Sequence, residues 1–214
     1  MTGAKGWSHL EARPEHVRGF FPALRQDIAG KKHQYLEALL RNIPGHLGIS
    51  LRYHLLTRSF KSCGENVVMW QGIRIRHPQG IKVGNNVQLG ADNHYQAWGG
   101  IQIGDDTLLG PNVKIWTINH AYTDRDRPIR EQGYQVRRVE IGADCWLTTN
   151  VFVGAGVVIP AGCVVGAGSI VNPMRIPPYS IIVGNPARVL GPRDRMSRFK
   201  KVLRNGPEQK EPKP

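Results

Sequence analysis

The sequence predicts an all-β core wound as a parallel β-helix of about five coils, with helices before it and a short helix after it. Three observations predict this. From residue 141 an aliphatic side chain recurs at every sixth position: Ile141, Leu147, Val153, Ile159, Val165 and Val171. Three residues after an inward position stand Asn66, Asn86, Asp92, Asp106, Asn112, Asp144, Asn150, Gly156, Gly162 and Gly168, types that tolerate the left-handed backbone of a tight corner. Glycine follows the inward residue directly at Gly64, Gly84, Gly90, Gly104, Gly110, Gly142, Gly154 and Gly166, where a corner leaves little room.

The same frame runs backwards through Ile115, Leu109 and Ile103, then Tyr95, Leu89 and Val83, then Ile75, Met69 and Cys63. A strand alternates every two residues and a helix every 3.6. A period of six therefore means three short sides per coil, a triangular prism. Stacked coils place Leu89, Leu109, Leu147 and Val165 in one internal column, and Val83, Ile103, Ile141 and Ile159 in another. Small or β-branched residues (Cys145, Val151, Val157, Cys163, Ser169) follow the inward positions four places on. Extra residues enter between Ile75 and Val83, Tyr95 and Ile103, and Ile115 and Ile141. All three insertions fall between a third side and the next first side, so one edge of the prism carries loops, where function tends to sit.

Before the repeat, residues 22–43 carry Leu24, Ile28, Tyr35, Leu36, Leu39, Leu40 and Ile43 near a 3.6 period, which predicts a helix. Pro44-Gly45 ends it, and residues 47–60 predict a second short helix. After the repeat, Met196, Phe199, Val202 and Leu203 suggest an amphipathic helix, and residues 205–214 read as a disordered tail. The organisation expected is a basic helical segment over 1–62, the β-helix over 63–190 with an extended loop at 116–140, and a basic end over 191–214.

The formal charge of +13 lies in the ends. Residues 1–62 hold ten Lys/Arg against four Asp/Glu, and 192–214 eight against three, whereas the body between holds eleven against nine. A nucleic-acid module carries its basic surface on the folded unit itself, so no nucleic-acid partner is expected. The basic ends read either as peripheral contacts to anionic lipid or as a solvated surface. No apolar run is long enough for a membrane helix. The first ten residues do not read as a secretory leader. Three widely spaced cysteines, Cys63, Cys145 and Cys163, fit a reducing cytoplasm better than a disulfide framework. The expected location is the cytoplasm, with or without attachment at the inner membrane face.

Four segments carry a family resemblance: Trp116 to His120, Pro128 to Gly133, Ile141 to Trp146, and Gly184 to Arg188. Over about residues 60–190 the chain resembles the hexapeptide-repeat acyltransferases. Within them it is similar to the galactoside/maltose O-acetyltransferases and their surface-polysaccharide relatives. The resemblance implies a left-handed coil, against the usual right-handed crossover, and a homotrimer with active sites between subunits. It implies acetyl-CoA as cosubstrate, no resident metal, and a sugar or glycan hydroxyl as acceptor. By motif position, His120 matches the general base. Trp146 and Thr149 match residues beside the pantetheine arm, and Ala167, Gly168 and Ser169 fall where that arm lies close. Arg188 matches a basic residue near the nucleotide. The chain departs from the family after Trp146, with Leu147-Thr148-Thr149, and after Val171, with Asn172-Pro173-Met174-Arg175. Asn172 and Arg175 are the residues available there for the cofactor, Arg175 replacing a lysine. Asp92 stands where relatives carry an acceptor-contacting Asn, and Asn93 adjoins it.

The chemistry explains the histidine. An alcohol is a weak nucleophile near neutral pH, and a positioned neutral imidazole that takes its proton gains about 10²–10⁴-fold. Trp98, Trp116 and Tyr122 lie near the decorated edge, where Trp98 and Trp116 either stack on a sugar or cap the core. Tyr122, Asp124 and Gln132 either bind acceptor or fold the long loop. The cysteines read as packing residues rather than nucleophiles. Two rival readings remain at this point. One is a zinc site of His77, His94 and His120 resembling gamma-class carbonic anhydrases, although their short His-x4-His spacing is absent. The other is a non-catalytic scaffold whose basic ends bind membrane or nucleic acid.

Overall fold

The structure, a computed structural model, describes residues 32–195 together with Phe21. The expected helix over 196–203, the tail beyond it and the first part of the 22–43 helix lie outside the described residues. Short parallel strands stack into three faces of a prism. The first face holds Ser62–Cys63, Ile81–Val83, Ile101–Ile103, Val139–Ile141 and Val158–Ile159. The second holds Val68–Met69, Gln88–Leu89, Leu108–Leu109, Trp146–Leu147, Val164–Val165 and Ser180–Gly184. The third holds Arg74–Arg76, His94–Gln96, Lys114–Trp116, Phe152–Val153 and Ile170–Val171.

The registers reproduce the six-residue frame. Leu89 pairs with Leu109, Leu109 with Leu147, and Leu147 with Val165. Val83, Ile103, Ile141 and Ile159 align likewise. Both columns are buried, at about 25 cal/mol per Å² of apolar surface removed from water. All ten expected corner residues adopt positive φ, between 54° and 85°. Their side chains form ladders up the corners: Asn66 Nδ2 donates to Asn86 Oδ1 (3.0 Å), and Asn86 Nδ2 to Asp106 Oδ1 (2.9 Å). At Gly90 a Cβ would meet the Gly110 carbonyl oxygen at 2.3 Å, so the next coil excludes any side chain there.

Both described ends of the prism are covered. Helix α1 (Lys32–Leu40) and helix α2 (Gly45–Leu56) close the first coil, and Leu40, Leu56 and Phe60 join its core. Arg52, fully buried on α2, acts as a staple. Its Nε donates to the Met69 carbonyl (2.9 Å), and its Nη1 to those of Leu40 (3.0 Å) and Ile43 (2.8 Å). The sequence frame ends at Val171, but the structure adds a sixth layer on the second face. There Ser180–Gly184 turns through a cis Asn185-Pro186 bond and pairs antiparallel with Ala187–Pro192. Among the described residues no helix is long and apolar enough to cross a membrane.

Candidate active site

The longest insertion leaves the corner between the third and first faces as a two-stranded arm. Ile118–His120 pairs antiparallel with Tyr134–Val136, placing Asn119 opposite Gln135 and His120 opposite Tyr134. Thr117 anchors the root. It is buried, its hydroxyl donates to the Gln96 carbonyl (2.6 Å), and it accepts the Gly99 N–H (2.8 Å). The backbone N–H of Arg137 returns to the Thr117 carbonyl (2.9 Å). At the tip, the Gln132 side chain donates to the carbonyls of Asp124 (2.7 Å) and Arg127 (2.8 Å) and accepts the Asp124 N–H (3.0 Å). Gln132 and Asp124 thus fold the loop, the Asp124 Oδ1 accepting the Asp126 N–H (3.0 Å). Tyr122, on the same loop, is 68% exposed.

His120 packs against the Tyr134 ring with centroids 4.6 Å apart. Tyr134 in turn meets Trp98 (5.7 Å), which stacks on His77 (5.7 Å, 20° between planes). Beside His120 is a cavity of about 170 Å³, lined also by Arg76, Gln96, Trp116, Ile118, Asn119 and Tyr134. Imidazole, indole, phenol and guanidinium thus converge at one mouth, an arrangement that can hold a polar molecule and take a proton from it.

The other expected residues are distributed around the prism. Trp146 points outward from the second face, 51% exposed, beside Leu108, 45% exposed. Arg188 is exposed on the terminal hairpin of that face and bonds its neighbour's carbonyl, from Ala187 (2.8 Å). Thr149, Ala167 and Gly168 lie at the corner between second and third faces, where the Gly168 N–H donates to the Thr149 carbonyl (3.0 Å). Asp92 sits lower in that corner column, exposed, with φ 58°. Asn172 and Arg175, both exposed, follow the last strand of the third face. The second face lies opposite the corner that bears the arm. Within one protomer the body of the prism therefore stands between Trp146 and His120.

Two of the expected residues have buried side chains. Asn93 was expected to meet the acceptor, but it is fully buried. Its amide donates to the Tyr95 hydroxyl (2.9 Å) and accepts the Val113 N–H (2.8 Å) inside the prism. Ser169 is also fully buried, its hydroxyl donating to the Gly166 carbonyl (2.6 Å) and accepting the Gly184 N–H (3.1 Å). Both hold the coil together and offer no side chain to a ligand. Conversely, Tyr134, Arg76 and Gln96 line the mouth without having been singled out. For Tyr134 a cross-strand partner of His120 was the available signal, but it required knowing that the loop is a hairpin.

The three histidines of the zinc reading do not converge. His77 faces Trp98, His94 meets the edge of Trp116 (4.9 Å), and His120 meets Tyr134. Among the described residues no group of three His, Cys, Asp or Glu is placed to hold a metal. All three cysteines are free, and burial pushes the thiols of Cys63 and Cys145 up to about 11. Thiolates of that basicity are scarce near neutral pH.

A β-helix of hexapeptide coils, carrying a histidine on an arm beside a cavity that Arg76, Gln96 and Asn119 also line, defines a class of protein, and the comparisons agree with it. The chain matches no protein-family model. It is 38% identical over 114 residues to a probable acetyltransferase of Mycobacterium tuberculosis, covering 53% of this chain and 38% of that protein. It is 36% identical over 162 residues to nodulation protein L of Rhizobium meliloti, covering 72% of this chain and 84% of that one. A hexapeptide-repeat acetyltransferase of Vibrio cholerae, solved with acetyl coenzyme A, superposes with a TM-score of 0.67. It shares 25% identity, over 85% of this chain and 91% of that one. The chain spans well under half the length of the mycobacterial relative. It belongs to the hexapeptide-repeat acetyltransferases.

Proposed function

We propose that the chain transfers an acetyl group from acetyl-CoA to a hydroxyl of a sugar or surface-polysaccharide precursor. In this reading His120 takes the hydroxyl proton as the oxygen attacks the thioester carbonyl. The new C–O bond forms, the C–S bond breaks, and the proton passes from the imidazolium to the departing CoA thiolate. No acyl-enzyme intervenes. Tyr134 holds the imidazole plane, and the cavity beside it seats the acceptor, so that orientation supplies much of the acceleration. The acetyl donor is carried over from the relatives, one of which was solved with that cosubstrate.

One observation carries the reading. His120 and the residues matched to the pantetheine groove, Trp146 above all, occupy opposite sides of one prism. Chemistry between them requires the arm of one protomer to reach the second face of another, and a closed trimer supplies that contact three times. The exposed apolar pair Leu108 and Trp146 gives the second face something to bury in such a junction. Asp92, Thr149, Ala167, Gly168, Asn172, Arg175 and Arg188 are then groove or rim residues, and Trp98 and Tyr122 border the acceptor. In the test, His120→Ala lowers turnover of acetyl-CoA with a sugar acceptor by about 10²–10⁴-fold. CoA affinity and oligomeric mass stay at wild-type values. Retained turnover sinks the general-base role, and a monomeric wild type sinks the shared site.

A further inference from the structure

The cavity beside His120 holds more polar chemistry than proton abstraction needs. Gln96 lines it and is 5% exposed, yet its amide oxygen has no hydrogen-bond partner among the described residues. A buried carbonyl left unpaired is costly and marks a place where a ligand group can donate. Arg76 lines the same cavity and stands next to Gln96 in the outward column Arg76, Gln96, Trp116. The neighbouring outward column reads Arg74, His94, Lys114.

This face is cationic. Among the described residues no carboxylate pairs with Arg74, Arg76 or Lys114. The acidic residue packed against it from α1, Glu37, is spent. One of its oxygens holds Arg41 (2.6 Å), and the other accepts the Ile75 N–H (2.7 Å). His94 reports the field: burial, then Arg76, Arg74, Lys114 and Arg41, hold its imidazole down at about 4. A neutral acceptor would gain only ordinary hydrogen bonds from such a surface, whereas an anion would also be drawn to it and oriented by charge.

We propose that the acceptor is an anionic sugar. Its phosphate or carboxylate is held by Arg76 in the field of Arg74 and Lys114, and a hydroxyl near the reacting one donates to Gln96. This rests on the acyltransferase reading for which hydroxyl reacts, but the anion site can be read without it. Titrations of the full chain use glucose 1-phosphate, glucuronate and methyl glucoside. CoA is present at saturation, so that its own phosphate contacts are filled.

At least one of the two anions is expected to bind about tenfold or more tightly than methyl glucoside. Comparing the two anions tells phosphate from carboxylate. Arg76→Met, at an exposed position, brings the ratio of anion to methyl glucoside affinity down to about one, and Arg76→Lys keeps part of the preference. Gln96→Met weakens all three sugars alike and leaves the preference. Equal binding of the three, no binding of either anion, or a preference that survives Arg76→Met overturns the proposal. CoA binding is measured first. If CoA does not bind, the acyltransferase reading falls, and the same titrations without CoA still decide the anion site.

Discussion

Within the prism the inward side chains of the middle coils are repeated one coil above and one below, whereas the arm from Ile118 to Val136 occurs once. Leu109, Leu147 and Val165 are each fully buried between equivalents. In the arm, Asn119, His120, Gln135 and Val136 are exposed, and only the root at Thr117 and Ile118 is buried. The prism therefore holds the stability, and the arm spends little of it while carrying the reactive group. Substitutions in the two regions should separate folding from activity.

The largest effect is expected in the column. Leu147→Ala removes a fully buried side chain from the middle of the second face and should cost about 2–5 kcal/mol of unfolding free energy. Denaturant titration measures it, and turnover per folded molecule at low temperature should persist. A cost under about 1 kcal/mol would mean that the coils do not support one another as the register implies.

Tyr134→Ala probes the arm from the other side. Losing the ring that packs 4.6 Å from His120 should lower kcat about tenfold by freeing the imidazole's orientation, with an unchanged melting temperature. Tyr134→Phe should recover most of the rate. A melting temperature lowered as far as by Leu147→Ala would make the arm part of the core and break the contrast.

The smallest effect concerns pH. His94 in the folded chain titrates near 4, chiefly through burial and then through Arg76 and its cationic neighbours, below the ordinary value of 6.5. Between these values the unfolded chain binds the extra proton. His94 therefore makes the fold lose stability as pH falls from about 6.5 towards 4, and costs it nothing above. Melting curves at pH 7 and 5 should show a smaller acid loss for His94→Gln than for wild type. An identical loss would mean that burial and the neighbouring cations do not depress the His94 imidazole.

The repeat was legible because a corner and an inward position impose local demands. Asn66, Asn86, Asp92 and Asn150 could be read as αL residues one by one, and all adopt that backbone. His77 and Tyr179 adopt it too, with φ 59° and 55°, and nothing in their side chains announced it. Asn93 misled because a polar residue beside a corner looks exposed. Yet it stands four places after Leu89, the position that Cys145, Val151 and Ser169 hold in their coils, and all four are buried.

The six-residue period, the left-handed corners and the place of the insertions were set by the sequence alone. Each depends on one residue's backbone preference or on a spacing along the chain. Folding decided the rest. The insertion became a hairpin that lays Tyr134 on His120, α1 and α2 closed the first coil through Arg52, and the Gln96 amide oxygen was left buried beside Arg76 without a partner among the described residues. These depend on contacts between distant segments, whose free energy exists only once the coils have stacked.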